Sequence, residues 1–261
     1  MKTNFGLMAV TITLLSASLA GCMGDEDSGE EYSGPIDLIV YYDSTSGMIE
    51  TSENNGQTGP TTGVELSFDF ADTTSDDGSI TKIMIEPDDG SSPVEGDPAD
   101  NAVISYTWMT HGVFTVTLTA EDSEGNAHSI MVKVKIDMHI VWSDTSTASA
   151  SMSFDATPDC EDGDPLPDRI TISSTVENPG TLFGGNSDVT WSLNNPSEEE
   201  IASNSGTLGN GASETWDYTS RDIVEGFWML DVEVTNGDNV NVNNDVTIAY
   251  AEGAEDPTNS R

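Results

Sequence analysis

One stretch of this chain crowds together residues able to hold a hard cation. The run Asp159-Cys160-Glu161-Asp162-Gly163-Asp164-Pro165-Leu166-Pro167-Asp168 sets carboxylates close together among turn-forming residues. Ca²⁺ takes about six to eight hard oxygens, which carboxylates on a tight loop can supply. The rest of the chain offers little reactive material. His111 stands in a turn before Gly112, His128 begins a strand-like run, and His139 falls between two runs of strands. None of the three belongs to a nucleophile motif, and no Gly-x-Ser-x-Gly, phosphate loop or His-Glu-x-x-His occurs. Two cysteines and three histidines lack the spacing of a Cys/His zinc site. With Asp+Glu at 47, carboxylate pairs arise by chance, so acids alone carry no glycosidase argument. These residues predict a protein that is not an enzyme.

The balance of charge is extreme. Lys+Arg total 7 against 47 acids, a formal net charge of -40. Such a surface repels phosphate backbones, which excludes nucleic-acid partners, and repels anionic headgroups, so membrane contact must come from something other than charge. Acidic chains poor in apolar residues stay disordered. Here a hydrophobic content of 35%, with five Trp and seven Phe placed inside strand-like runs, predicts folded domains with a solvated acidic coat of the kind that suits high salt.

The N-terminus predicts export. Lys2 precedes an apolar stretch from Phe5 to Leu15, closed by small residues. The stretch is too short and too rich in Ser and Thr for a spanning helix. It ends in Leu19-Ala20-Gly21-Cys22, which resembles the lipobox of prokaryotic lipoproteins. That resemblance implies cleavage after residue 21, a thioether-linked lipid on Cys22, and a protein held at the outer face of the cell membrane. Removal of residues 1–21 takes away Lys2 and no acid, deepening the negative charge by one unit. Residues 22–35, with Asp25, Glu26, Asp27, Glu30 and Glu31 among Gly and Ser, read as a flexible acidic tether. With Cys22 carrying lipid, Cys160 has no intrachain partner.

The remainder shows period-two alternation, the pattern of half-buried strands. Val64, Leu66, Phe68 and Phe70 alternate with polar residues, as do Phe114, Val116, Leu118 and Ala120, then Ile130, Val132, Val134 and Ile136. Turn clusters such as Asp76-Asp77-Gly78 and Pro87-Asp88-Asp89-Gly90 punctuate them. Short strands and turns predict an all-β fold of two tandem immunoglobulin-like sandwiches. Two blocks resemble the PKD domain: Asp72 to Ile80, like D-x-x-S-x-D-G-x-I, and Gly112 to Asn126, like G-x-Y-x-V-x-L-x-V-x-D-x-x-G-N. The family's W-x-F-G-D-G is replaced by Ile85-Glu86-Pro87-Asp88-Asp89-Gly90, and Trp108 stands where the family has Tyr. The resemblance covers residues 36–137 and implies an immunoglobulin-like sandwich.

A second run of strands fills 139–250. Ile170, Ile172, Ser174 and Val176 alternate before Asn178-Pro179-Gly180, then Val189, Trp191 and Leu193, then Trp228, Leu230, Val232 and Val234, and finally Val246, Ile248 and Tyr250. Thr171 to Gly180, the turn from Gly209 to Tyr218, and Asn243-Asn244 make this part similar to the CARDB domain, with a generic fibronectin-type sandwich as the alternative. The expected organisation is signal peptide 1–21, tether 22–35, PKD-like sandwich 36–138, CARDB-like sandwich 139–250 and disordered tail 251–261. Trp191, Trp216 and Trp228 are expected in the core, with an exposed sugar-binding row as the alternative.

The acidic run at 159–168 resembles the calcium loops of thrombospondin type 3 repeats, with Asp162, Asp164 and Asp168 on ligand positions, Glu161 beside them, Cys160 at the first ligand position and Pro165 in place of a glycine. An acidic interdomain loop without an ion is the favoured reading of the two. Taken together, the sequence predicts a lipid-anchored surface protein mediating adhesion, its partner a surface protein or polysaccharide. A calcium-dependent glycan-binding module and an accessory subunit of an exported enzyme or transporter are the alternatives. The self-repulsion of so acidic a chain is screened by salt, the Debye length falling from about 10 Å at 0.1 M to about 3 Å at 1 M. The melting temperature is therefore expected to rise from dilute buffer to molar salt in scanning calorimetry; a flat or falling trend would refute the acidic-coat argument.

Overall fold

The computed structural model describes residues 32–159 and 165–251. Cys22, most of the tether, Cys160, Glu161, Asp162, Asp164 and the tail beyond residue 251 lie outside the described residues. Among these residues every regular element is a strand. The first sandwich contains β1 (Ile36–Asp37), β2 (Ser46–Asn54), β3 (Gln57–Thr58), β4 (Val64–Asp69), β5 (Thr74–Ser75), β6 (Ile80–Glu86), β7 (Val94–Gly96), β8 (Val103–Trp108), β9 (Gly112–Asp122) and the first half of β10 (Ala127–Thr147). The second uses the rest of β10 with β11 (Ser149–Asp155), β12 (Arg169–Glu177), β13 (Ser187–Asn194), β14 (Glu200–Leu208), β15 (Ser213–Ser220), β16 (Phe227–Asn236) and β17 (Val240–Ala249).

In the first sandwich one layer runs β10-β9-β6-β7, and the other is built from the β4–β8 pair and the segment around Tyr41, which bridges to Asp69. The predicted alternation places its apolar members inside: Phe68, Phe114, Val116, Leu118, Ala120, Val134 and Ile136 are fully buried. Trp108 is fully buried as well and donates its indole N–H to the Pro87 carbonyl at 3.3 Å. The two PKD-like blocks meet in space. Ser75 donates to Asp122 Oδ2 at 2.7 Å, and the Asp122 carboxylate also accepts the backbone N–H groups of Glu124 and Asn126 and the Asn126 side-chain amide. Hydrogen bonds from Asn126 and Ser75 hold the Asp122 carboxyl down at about 2.

In the second sandwich a sheet in the order β15-β12-β17-β10 faces a sheet in the order β11-β16-β13-β14. Its apolar interior forms two clusters, one around Ile170, Ile172, Trp228, Leu230, Val246 and Ile248, the other around Val176, Val189, Leu208, Val232 and Val242. A buried polar relay crosses the core. Trp191 Nε1 donates to Ser174 Oγ at 2.9 Å, and Ser174 Oγ donates to Asn244 Oδ1 at 2.6 Å.

β10 ties the two sandwiches together. Its 21 residues run through the sequence-predicted junction at 138/139 without a break. On one edge Ala127–Ile136 pairs with β9 and Met138–Thr147 with β17, both antiparallel. On the other edge Lys135–Ser143 pairs with β2 in parallel, so Met138 has Ile248 on one side and Ile49 on the other. The β2–β3 hairpin turns on Asn55-Gly56, both at positive φ, as a two-residue hairpin of this twist requires. From that turn Asn55 Oδ1 accepts the N–H and hydroxyl of Thr145, fastening the first sandwich to the second.

The core relay makes a measurable claim. Ser174→Ala leaves Trp191 Nε1 and Asn244 Oδ1 without their hydroxyl partner in a dry interior, at a cost of about 1–3 kcal/mol per buried unsatisfied group. Urea unfolding of the variant is expected to show a loss of about 2 kcal/mol or more; a loss below about 0.5 kcal/mol would mean the relay contributes little.

Candidate functional site

A cavity lies where the sandwiches meet. It is an open cleft of about 540 Å³ whose lining includes Met109, Met138, Ile140 and Phe154, together with the acids Glu53 and Asp159. The β2–β3 hairpin, the β8–β9 turn, the middle of β10 and the end of β11 with the residues after it converge there.

His111 closes the inner wall. It is 6% exposed, its Nδ1 lies 2.7 Å from the Tyr250 hydroxyl and its Nε2 lies 3.2 Å from the Asp155 carbonyl. A carbonyl only accepts, so Nε2 carries the proton and Nδ1 accepts from Tyr250. Tyr250 in turn donates its backbone N–H to Asp137 Oδ1 at 3.0 Å. This chain of contacts joins β10, the end of β17, the β8–β9 turn and the end of β11. Burial pushes the His111 imidazole below its ordinary value, although Asp155, Asp159 and Asp137 pull the other way. Both ring nitrogens are engaged at the junction, so the arrangement ties the two sandwiches together.

The other two histidines have structural partners too. His128 stacks on Tyr32, with ring centroids 3.6 Å apart, and its Nδ1 lies 3.1 Å from the Ile36 carbonyl. His139 Nε2 lies 3.0 Å from Asp245 Oδ1 across the β10–β17 ladder.

Of the sequence-predicted calcium set, Asp168 is the described member. Its Oδ2 accepts from Arg169 at 3.3 Å and from Arg221 at 3.1 Å. A cation at that oxygen would displace two guanidinium donors. Among the described residues no three His, Cys, Asp or Glu side chains gather into a group able to hold a metal. Trp191 and Trp228 are buried as expected, whereas Trp216 is half-buried on the edge strand β15 and stacks on Tyr218 with centroids 5.8 Å apart.

With this geometry in hand, comparison with known proteins gives one family. The model described as PKD domain matches residues 51–136. That segment runs from within β2 to Ile136 in the middle of β10 and contains both motif blocks. No curated protein matches the chain. Among solved structures the chain is similar to a carbohydrate-binding module of the β-sandwich superfamily, studied for promiscuous specificity, at 13% identity, covering 85% of this chain and 100% of that one with a TM-score of 0.30. It is also similar to the PKD1 domain of Vibrio anguillarum Epp, at 17% identity over 38% of this chain and 95% of that domain, TM-score 0.23. A third similarity is to the CBM51-2 and INT domains of Clostridium perfringens ZmpB, at 12% identity over 82% and 49%, TM-score 0.25. The functional reading therefore rests on this chain's own residues.

The junction histidine makes the fold sensitive to mild acid. Its pKa is depressed in the folded state and near 6.5 in the unfolded chain. The unfolded state thus binds the proton more readily, and the stability His111 contributes is complete above about pH 6.5 and lost as pH falls below it. The stability difference between the wild type and His111→Gln is expected to shrink from pH 7.5 to pH 5 in denaturant titrations. A difference independent of pH would overturn the assignment of a neutral, Nε2-protonated ring.

Proposed function

We propose that this chain is a non-catalytic interaction module displayed on the outer face of a cell membrane by a lipid on Cys22. Residues 22–35 serve as its acidic tether, and the two sandwiches form a stiff arm that presents loops to a surface protein or polysaccharide. The observation that carries this reading is the continuity of β10 through both sandwiches with its middle paired on both edges. A display protein needs that stiffness, because loops placed at one end of a jointed arm would not be held outward. The PKD-matched segment fits the same role, since it forms most of the first sandwich, which follows the tether in sequence. The ring nitrogens of His111 are both engaged in holding the junction together, which agrees with a scaffold rather than an enzyme.

Anchoring is tested at the sulfur. Cys22→Ser is expected to move the product from the membrane fraction to the soluble fraction of fractionated cells, and to abolish labelling by a radioactive fatty acid. A variant that stays as firmly bound as the wild type would overturn lipid anchoring.

A further inference from the structure

The β12–β13 connection carries two adjacent apolar side chains into solvent. Leu182 is 90% exposed and Phe183 is 94% exposed. They occupy the corners of a turn in which Gly184 N–H donates to the Thr181 carbonyl at 3.3 Å. Turn corners favour small and polar residues, so a Leu-Phe pair there runs against local preference.

The turn is held from outside. Asn210 grips Thr181 twice, donating Nδ2–H to its carbonyl at 2.8 Å and accepting its N–H at 2.9 Å. Asp238 Oδ2 accepts the Gly185 N–H at 2.9 Å, and Asn178 Nδ2 donates to the Gly185 carbonyl at 3.0 Å. A Cβ on Gly184 would stand 2.4 Å from Asn210 Oδ1, so the close grip requires glycine. A loop pinned at both ends cannot fold its corner residues back onto the sandwich. The apolar pair is thereby preorganised, which lowers the entropy lost when a partner takes it up.

The surroundings narrow the partner. Ser146, at the far end of β10, lines the same shallow depression as Leu182 and Phe183, whereas Tyr32 stacks at the near end on His128. A strand of 21 residues at about 3.3 Å per residue separates these ends by roughly 70 Å. The segments at the far end, 144–149, 177–188, 207–214 and 233–241, contain Asp144, Glu177, Asp188, Glu214, Glu233 and Asp238 and no Lys, Arg or His. Like charge therefore opposes a second copy of this chain, anionic lipid and nucleic acid at this pole.

We infer that the Leu182–Phe183 turn is a docking tip that inserts into an apolar pocket rimmed by Lys or Arg on another cell-surface protein. Apolar burial supplies the anchor, and the ring of carboxylates sets approach and selectivity. The inference deepens the display reading above by naming the contact element and the chemistry of its partner.

The test uses the full-length chain in its own cells, with Phe183→p-benzoyl-phenylalanine as a photo-cross-linker. The expected result is one cross-linked surface protein. Once purified, it should bind the wild-type chain about thirtyfold more tightly than Phe183→Ser or Leu182→Ser, and more weakly at molar salt than at about 0.1 M. Both serine variants change exposed side chains and should retain the wild-type melting temperature. Cross-links to lipid, to a second copy of the chain, or to no discrete protein overturn the inference, as does unchanged affinity in the serine variants. Fractionation of Cys22→Ser reads anchoring separately, so either idea can fail without the other.

Discussion

At Lys135, Ile136 and Met138–Ser143 the backbone of β10 is paired on both edges at once, and the arrangement of the two sandwiches follows from that. A hinge between domains needs a few residues free to change φ and ψ. Here any bend at the middle of β10 would break the β2 ladder on one side and the β9 or β17 ladder on the other. The side chains add to the restraint: Asp137 takes the Tyr250 N–H, Tyr250 reaches His111, and His139 meets Asp245. Met138 packs against the cores of both sandwiches, and the two share one strand, so the sandwiches are joined as a single arm.

Charge is distributed unevenly along that arm. The ion-paired cations lie in the first sandwich, at the junction or at the inner end of the second: Lys82 with Glu95 and Glu121, Lys135 with Asp137, and Arg169 and Arg221 with Asp168. The carboxylates of the far pole have no such compensation in sequence. Asp188 there is held below the ordinary carboxylate range by the Thr207 hydroxyl and the Asn236 amide, and so stays ionised in mildly acidic conditions. Carboxylates without basic neighbours in sequence consequently surround the most exposed apolar side chains. That combination disfavours indiscriminate hydrophobic association and leaves a complementary, positively charged pocket as the surface that gains most.

The sandwich class was legible because alternation survives wherever one strand face is buried. Ile170, Ile172, Ser174 and Val176 all point inward, and even the polar member of that series has a buried role, bonding Asn244 and Trp191. The PKD-like blocks were legible for another reason: Asp122 and Ser75 build a turn that needs those residue types at those spacings. β14 was not legible, since an edge strand with the sequence Glu-Ile-Ala-Ser-Asn-Ser-Gly-Thr-Leu buries little beyond Leu208. The length of β10 left a readable signal. No Gly, Pro or Asn interrupts residues 127–147, and Ile136, Met138, Ile140 and Trp142 carry the alternation across the expected junction. The parallel pairing of β2 with β10 left none, because strand partnership across 80 residues or more is a property of the assembled sheet.

The exposed tip depends on this frame by a short path. Asn210, which grips the Leu182–Phe183 turn, sits in the β14–β15 connection beside Gly211. That connection and the Asn178 turn hold each other: Gly211 N–H donates to the Asn178 carbonyl at 2.9 Å, and Asn178 N–H donates to the Ala212 carbonyl at 2.9 Å. The backbones approach closely at Gly180 and Gly211, where a Cβ on Gly180 would stand 3.5 Å from the Gly211 Cα. Both turns emerge from the paired ends of β12 and β15, at Glu177 and Ser213. β12 is bonded in turn to β17, and β17 to β10. Hydrogen-bonded ladders and turn contacts thus lead from the shared strand to the two apolar side chains, and the same physics that makes the junction stiff fixes where those side chains project.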